Sequence, residues 1–104
     1  MQVAPAEIEA VLLGHDEILD AGVVGIPDPR IPGNEIPRAF VVRKLGRNPI
    51  TDEEVKAYVR NKLALHKQLR GGVKFIGGIP RNLSGKILRR KLREVEDLER
   101  TSKL

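Results

Sequence analysis

The residues best suited to chemistry lie between positions 79 and 90, in the stretch IPRNLSGKILRR. Gly85 can adopt backbone angles that are closed to other residues, so the chain can turn sharply just before Lys86. We expect the stretch to form the end of a strand, a tight loop and the opening of a basic helix. Lys86 would then present an exposed ammonium next to backbone N–H groups that have no partner within the helix. Such a position suits the binding of phosphate or carboxylate.

The same stretch departs from the phosphate-binding P-loop. That motif requires a glycine five positions before its second glycine, and a serine or threonine directly after the lysine. These two positions hold Pro80 and Ile87. A P-loop is therefore excluded.

Four segments of the chain carry a resemblance to one family. Residues 80–90 (PRNLSGKILRR) resemble the last core motif of the adenylate-forming enzymes, which include acyl-CoA synthetases, 4-coumarate–CoA ligases, luciferases and peptide-synthetase adenylation domains. Residues 2–9 (QVAPAEIE) resemble the segment after that family's interdomain hinge, and residues 23–28 (VVGIPD) and 37–42 (PRAFVV) fit the same domain in order. The resemblance covers nearly the whole chain. It implies the small C-terminal lid domain, separate from its large N-terminal domain.

The resemblance also implies roles for individual residues. Lys86 would be the catalytic residue, reaching into the other domain's active site to position a carboxylate and a nucleotide. A carboxylate that attacks the α-phosphate of ATP brings two anions together, which a compact cation offsets. Gln2 matches a glutamine near the nucleotide and acyl-adenylate in the ligase branch, and it is a cofactor-binding candidate. Ser84 and Gly85 are cofactor-binding candidates as well, although we expect them to shape the loop and not to take part in the reaction.

The implied enzyme is most similar to a peroxisomal 4-coumarate–CoA ligase-like acyl-CoA ligase. It would use ATP, Mg²⁺ and coenzyme A, bound mainly by the N-terminal domain. The isolated fragment is expected to bind none of these three. Its partners would be its own N-terminal domain and a small carboxylic acid. By family analogy the lid rotates between half-reactions, with Lys86 serving adenylation and the face around Gln2 serving thioester formation. The isolated fragment is expected to fold and to be inactive.

Length and composition predict one soluble globular domain. At 104 residues with 40% hydrophobic and 3% aromatic residues, the chain can bury one modest, mainly aliphatic core. The lack of cysteine excludes a disulfide scaffold and any cysteine-based metal or nucleophile site. His15 and His66 are too far apart in sequence for a recognisable metal motif, so no metal site is predicted. No transmembrane segment or signal peptide is predicted either.

Hydrophobic periodicity and turn residues predict an α+β fold in the order α-β-β-α-β-α, with about three strands flanked by about three helices. The predicted elements are a helix from Pro5 to Gly14, strands at 21–26 and 36–43, a helix opened by a Thr51–Glu54 capping box, a strand at 73–76 and a helix from about Lys86. Residues 1–96 would form the lid domain and residues 97–104 a flexible tail.

The basic residues leave other interpretations open. A net charge of +5 favours anionic partners, a class that includes nucleotides and nucleic acids. The cluster of Arg89, Arg90, Lys91 and Arg93 is interrupted by apolar residues at helical spacing, so a solvated or interdomain face is favoured and no nucleic-acid partner is predicted. The alternatives are a luciferase-type oxygenase, a stand-alone basic nucleic-acid-binding domain and a stand-alone interaction module. His66 and Lys67 are either ordinary surface charge or a contact for coenzyme A phosphates.

The tripeptide Ser102-Lys103-Leu104 differs in kind from the other motifs. A C-terminal S-K-L sequence is a peroxisomal address that an import receptor reads. The family that the chain resembles includes peroxisomal members among its acyl-CoA synthetases, 4-coumarate–CoA ligase-like enzymes and luciferases. We therefore predict a peroxisomal location, with the import receptor as a further partner.

Overall fold

The computed structural model describes residues 4–46, 48–64 and 67–102. Within these segments the predicted α+β element order is confirmed. The elements are α1 Pro5–Leu13, β1 Ile18–Pro27, β2 Glu35–Arg43, α2 Asp52–Lys62, β3 Val73–Phe75 and α3 Arg89–Ser102. None of the helices in the described segments has the length and hydropathy that crossing a bilayer requires.

The three strands form one mixed sheet in the order β1-β2-β3. β1 and β2 are antiparallel, and β3 runs parallel to β2. Successive side chains of a strand point to opposite faces, so a sheet of this size can bury residues on both sides. One face packs against α1 and α2, and the other packs against α3. The prediction that helices cover the sheet is thereby confirmed.

The core is aliphatic, as the composition predicts. Val55 and Val59 of α2 are fully buried and form the apolar face of that helix. Phe40 is also fully buried, and it packs with Leu92 on the face that α3 covers. Phe75 is only half-buried and packs against the cluster on the other face.

Local signals determine where the first two helices begin. Pro5 occupies the first turn of α1, where a missing N–H leaves no hydrogen bond unmade. The Thr51 hydroxyl accepts a hydrogen bond from the Glu54 N–H at 3.2 Å, and the Glu54 carboxylate accepts one from the Thr51 N–H at 3.0 Å. The predicted capping box is therefore confirmed.

β1 begins at Ile18, three residues before the predicted start at position 21. The added residues begin with the alternation typical of a strand, because Ile18 is 2% exposed whereas Leu19 is 62% exposed. A register shift separates Ile18 from Asp20 in the pairing with β2. Bulges of this kind change the direction in which a neighbouring side chain points. Asp20 lies directly after the shift, on an edge strand of the sheet.

α3 begins at Arg89, so the predicted helix start at about Lys86 is wrong. The preceding backbone is engaged across the loop instead. Arg81 and Ile87 form an isolated antiparallel bridge, and the Leu88 N–H donates to the Pro80 carbonyl at 2.9 Å. These hydrogen bonds keep residues 86–88 out of the helix.

The C-terminal part of α3 is tied to the sheet by charge. The helix is continuous to Ser102, beyond the predicted start of a flexible tail at residue 97, and the domain boundary at 96 stays a prediction. Glu99 forms ion pairs with Arg38 of β2 and Lys74 of β3. These contacts explain why the helical conformation extends past position 97.

Gly22 of β1 lets α3 approach the sheet closely. A Cβ at this position would lie 2.8 Å from the Leu92 side chain and 3.3 Å from the Ile79 side chain. Both distances are shorter than ordinary van der Waals contact, so only glycine leaves room for them. The approach places α3 and the segment before it against β1.

Candidate functional site

The loop that carries Lys86 spans residues 79–88 and is called the Lys86 loop below. Its shape is held by Asn82, whose side-chain oxygen accepts hydrogen bonds from the Ser84 N–H (3.1 Å), the Ser84 hydroxyl (2.8 Å) and the Lys86 N–H (2.9 Å). The Asn82 N–H donates to the Lys86 carbonyl at 2.9 Å, which closes the loop from the other side. Gly85 has a φ of +88°, the left-handed region that favours glycine, as predicted for the sharp turn.

A second set of contacts ties this loop to the body of the domain. The Arg81 guanidinium donates two hydrogen bonds to the Asp20 carboxylate, from Nε at 3.1 Å and from Nη2 at 2.7 Å. Its remaining nitrogen, Nη1, donates to the Gly85 carbonyl at 2.6 Å. The hydrogen bonds to Asp20 raise the pKa of Arg81 above its ordinary value. The guanidinium therefore stays charged and links β1 to the residue before Lys86.

Lys86 itself is exposed to solvent. Across the described segments, no carboxylate forms an ion pair with its ammonium. Leu83, at the tip of the same loop, is fully exposed as well. The loop thus presents a cation and an apolar side chain outward on a hydrogen-bonded frame, and its ammonium can offset negative charge on a molecule that meets this surface.

The structure brings three of the predicted site residues together. Ser84, Gly85 and Lys86 lie side by side in the loop, where the first two take part in its internal hydrogen bonds. Gln2 lies outside the described residues, and its role stays a prediction. His66 is outside them too, while Lys67 forms an ion pair with Glu7 at 2.6 Å.

The basic cluster at the start of α3 has divided roles. Arg89 is half-buried; it forms an ion pair with Glu9 and donates to the Val23 carbonyl at 2.9 Å. Arg90, Lys91 and Arg93 are exposed. The cluster is therefore not a continuous basic face, because its first member stabilises the fold.

Sequence reasoning missed the residues that support the loop. No sequence pattern points to Asp20, and Arg81 is recognisable only as part of the motif at residues 80–90. The two residues lie 61 positions apart, so no local pattern connects them. Among the described residues, no group of three His, Cys, Asp or Glu side chains is arranged to hold a metal ion.

Comparison with known proteins gives a consistent match. The profile of the family described as "AMP-binding enzyme C-terminal domain" matches residues 7–86. A putative acyl-coenzyme A synthetase of Emericella nidulans is 56% identical over 94 residues, which is 90% of this chain and 17% of that protein. The 4-coumarate–CoA ligase-like 2 of Arabidopsis thaliana is 46% identical over 103 residues, 99% of this chain and 17% of that protein.

A luciferase and a solved structure match to a similar extent. Luciferin 4-monooxygenase of Luciola mingrelica is 47% identical over 94 residues, 90% of this chain and 17% of that protein. The crystal structure of Brucella canis acyl-CoA synthetase superposes with a TM-score of 0.79 at 35% identity, covering 92% of this chain and 18% of that one. The chain thus spans about one sixth of the length of these proteins.

Proposed function

The chain belongs to the AMP-binding enzyme C-terminal domain family, and from this premise we propose that it is the mobile lid of an ATP-dependent acyl-CoA synthetase. The proposed enzyme is an acid–thiol ligase of the 4-coumarate–CoA ligase-like kind. The observation that carries the proposal is the exposed ammonium of Lys86, held on an ordered loop without a carboxylate partner among the described residues. An unpaired cation on a rigid support is what a site for anionic reactants needs.

The proposed reaction has two steps. In the first, an oxygen of the substrate carboxylate attacks the α-phosphorus of ATP, forming the acyl-adenylate and releasing pyrophosphate. In the second, the thiol of coenzyme A attacks the acyl carbon, forming the thioester and releasing AMP. Lys86 acts in the first step, where its positive charge offsets the repulsion between the carboxylate and the triphosphate.

The other predicted ligand contacts follow from this assignment. Ser84 and Gly85 keep the loop in the shape that presents Lys86, and Gln2 contacts the nucleotide side of the acyl-adenylate. ATP, Mg²⁺ and coenzyme A are bound mainly by the N-terminal domain, which also supplies the acid pocket. Leu83 is the apolar contact of the loop with that domain, since covering so exposed a leucine removes apolar surface from water and stabilises the contact.

Two alternatives are less well supported. A luciferase-type oxygenase shares this domain, as the Luciola relative illustrates, and luciferin-dependent light from the full-length protein would favour it. A stand-alone nucleic-acid-binding domain would use the basic face of α3, yet Arg89 is engaged with Glu9. The remaining exposed cations, Arg90, Lys91 and Arg93, are followed directly by the exposed acidic residue Glu94.

The proposal is tested by pyrophosphate exchange. With a panel of carboxylic acids, the full-length protein should return labelled pyrophosphate to ATP, and the 104-residue chain alone should not. The reason is that the acid pocket and most nucleotide contacts would belong to the other domain. Exchange by the isolated chain, or no exchange with any acid by the full-length protein, would contradict the proposal.

We also propose a peroxisomal location, based on the tripeptide at positions 102–104. A fluorescent protein fused ahead of this chain, with Leu104 as the free C terminus, should enter peroxisomes. Removal of Leu104 should leave the fusion in the cytosol, because the import receptor reads the terminal tripeptide. Equal distribution of the two fusions would exclude this address.

A further inference from the structure

We propose that Asp20 and Arg81 are positioning residues for adenylation, which act by fixing the direction in which Lys86 points. The inference rests on the proposed function, because it assigns to Lys86 the role described above. It adds a residue from β1, far from the loop in sequence, to the machinery of that step. Neither residue needs to touch the substrates.

Hydrogen bonds within the Lys86 loop do not by themselves set its orientation on the domain. The contacts of Asn82 with Ser84 and Lys86 join residues of the same loop. Such contacts fix the loop's internal shape, but they leave it free to tilt as a unit about its ends. Residues 81–86 are all exposed, and packing holds only the ends of the loop, where Ile79 and Ile87 lie against the cluster on the α3 face. The orientation of the exposed part therefore depends on contacts between its side chains and the domain body.

Arg81 supplies that contact. Its planar fork binds both oxygens of Asp20, and the third nitrogen binds the carbonyl directly before Lys86. A two-pronged bond to a carboxylate restrains rotation as well as distance. The link runs from β1 through one guanidinium to the peptide unit that leads into Lys86. Lysine could not replace arginine here, because an ammonium lacks the fixed fork.

The strand end of this link is also well defined. Asp20 follows the register shift in β1, and its carboxylate accepts a further hydrogen bond from the Ala21 N–H at 2.9 Å. The next two residues of the strand are both buried. Ala21 lies in the cluster that contains α1, and Gly22 lies against Leu92 of α3. Asp20 is thus a stable anchor, with a carboxylate that is half-buried.

The test is a set of variants in the full-length protein: Asp20→Ala, Arg81→Met and the two combined. Each single change should slow acyl-adenylate formation about tenfold, the equivalent of losing a charged hydrogen-bond network of modest strength. The KM for ATP should change little, since no substrate contact is lost. Thioester formation from supplied acyl-adenylate should be unaffected, which a general loss of folding would not allow. Asp16→Ala, a change of equal charge at an exposed position, is the matched control.

Two combinations decide whether the residues act through Lys86. The double variant Asp20→Ala with Arg81→Met should be at most about twofold slower in acyl-adenylate formation than either single variant, because both changes break the same link. Combining Asp20→Ala with Lys86→Ala should slow acyl-adenylate formation no further than Lys86→Ala alone. If the losses multiply in either pair, or if Asp20→Ala slows both half-reactions equally, the positioning role is wrong. If Lys86→Ala shows no selective loss, the proposed function itself fails, whatever the Asp20 variants do.

Discussion

Replacing Lys86 with alanine in the full-length enzyme is expected to slow acyl-adenylate formation by about 10²–10³-fold, the range seen when one preorganised charge-stabilising group is lost. The physical reason is the approach of two anions. At an effective dielectric constant near 20, a unit charge about 4 Å from an opposite charge contributes roughly 4 kcal/mol. Pyrophosphate exchange with a saturating acid measures this step. Thioester formation from supplied acyl-adenylate should be largely spared, because that step joins a thiol to an activated acyl group.

The control for this experiment is Lys56→Ala. Lys56 lies on α2, which packs on the sheet face opposite α3, and it forms an exposed ion pair with Glu53. Its loss changes the net charge by the same amount without touching the Lys86 loop. Equal slowing by the two variants would indicate a general electrostatic effect. Equal loss in both half-reactions of Lys86→Ala would remove the adenylation role.

The Lys86 loop could be predicted from the sequence because its signals are local. Gly85 provides the turn, and the motif around it has a recognisable order, so the position of the exposed lysine follows from a dozen adjacent residues. The capping box at Thr51 is predictable for the same reason. In each case the interacting groups are fewer than five positions apart.

The support beneath the loop could not be predicted, because its partners are distant in sequence. Asp20 and Arg81 are separated by 61 positions, and Glu9 and Arg89 by 80. Which carboxylate meets which guanidinium depends on how α3 is placed on β1. That placement depends on the space above Gly22, a tertiary feature. The start of α3 differs from the prediction for a related reason, since a backbone bridge across the loop outcompetes helix formation at Ile87.

The loss of the Glu9 carboxylate should destabilise the domain. Its carboxylate is nearly buried, accepts a hydrogen bond from the Val23 N–H at 2.7 Å, and binds Arg89 through both oxygens. Arg89 in turn donates to the Val23 carbonyl at 2.9 Å. One carboxylate and one guanidinium thus join α1, β1 and the start of α3.

Glu9→Gln should lower the free energy of unfolding of the 104-residue chain by about 2–3 kcal/mol, measured by urea denaturation. Glutamine can still accept the hydrogen bond from Val23, but its amide N–H₂ faces a guanidinium that only donates. Arg89 is then left without its counter-charge. The effect should fall short of that for a wholly buried pair, since the Arg89 side chain is 31% exposed.

Glu7→Gln is the matched control, because it makes the same chemical change two residues away on the same helix. Glu7 forms an ion pair with Lys67, but the Glu7 side chain is 47% exposed, so water solvates the charge that remains. An exposed pair of this kind contributes about 0–1 kcal/mol. If Glu9→Gln and Glu7→Gln shift the urea midpoint equally, burial does not strengthen the Glu9–Arg89 contact. If Glu9→Gln causes much the larger shift, α3 depends on the Glu9–Arg89 contact for its position on β1. The segment that leads back to Lys86 then depends on the same contact.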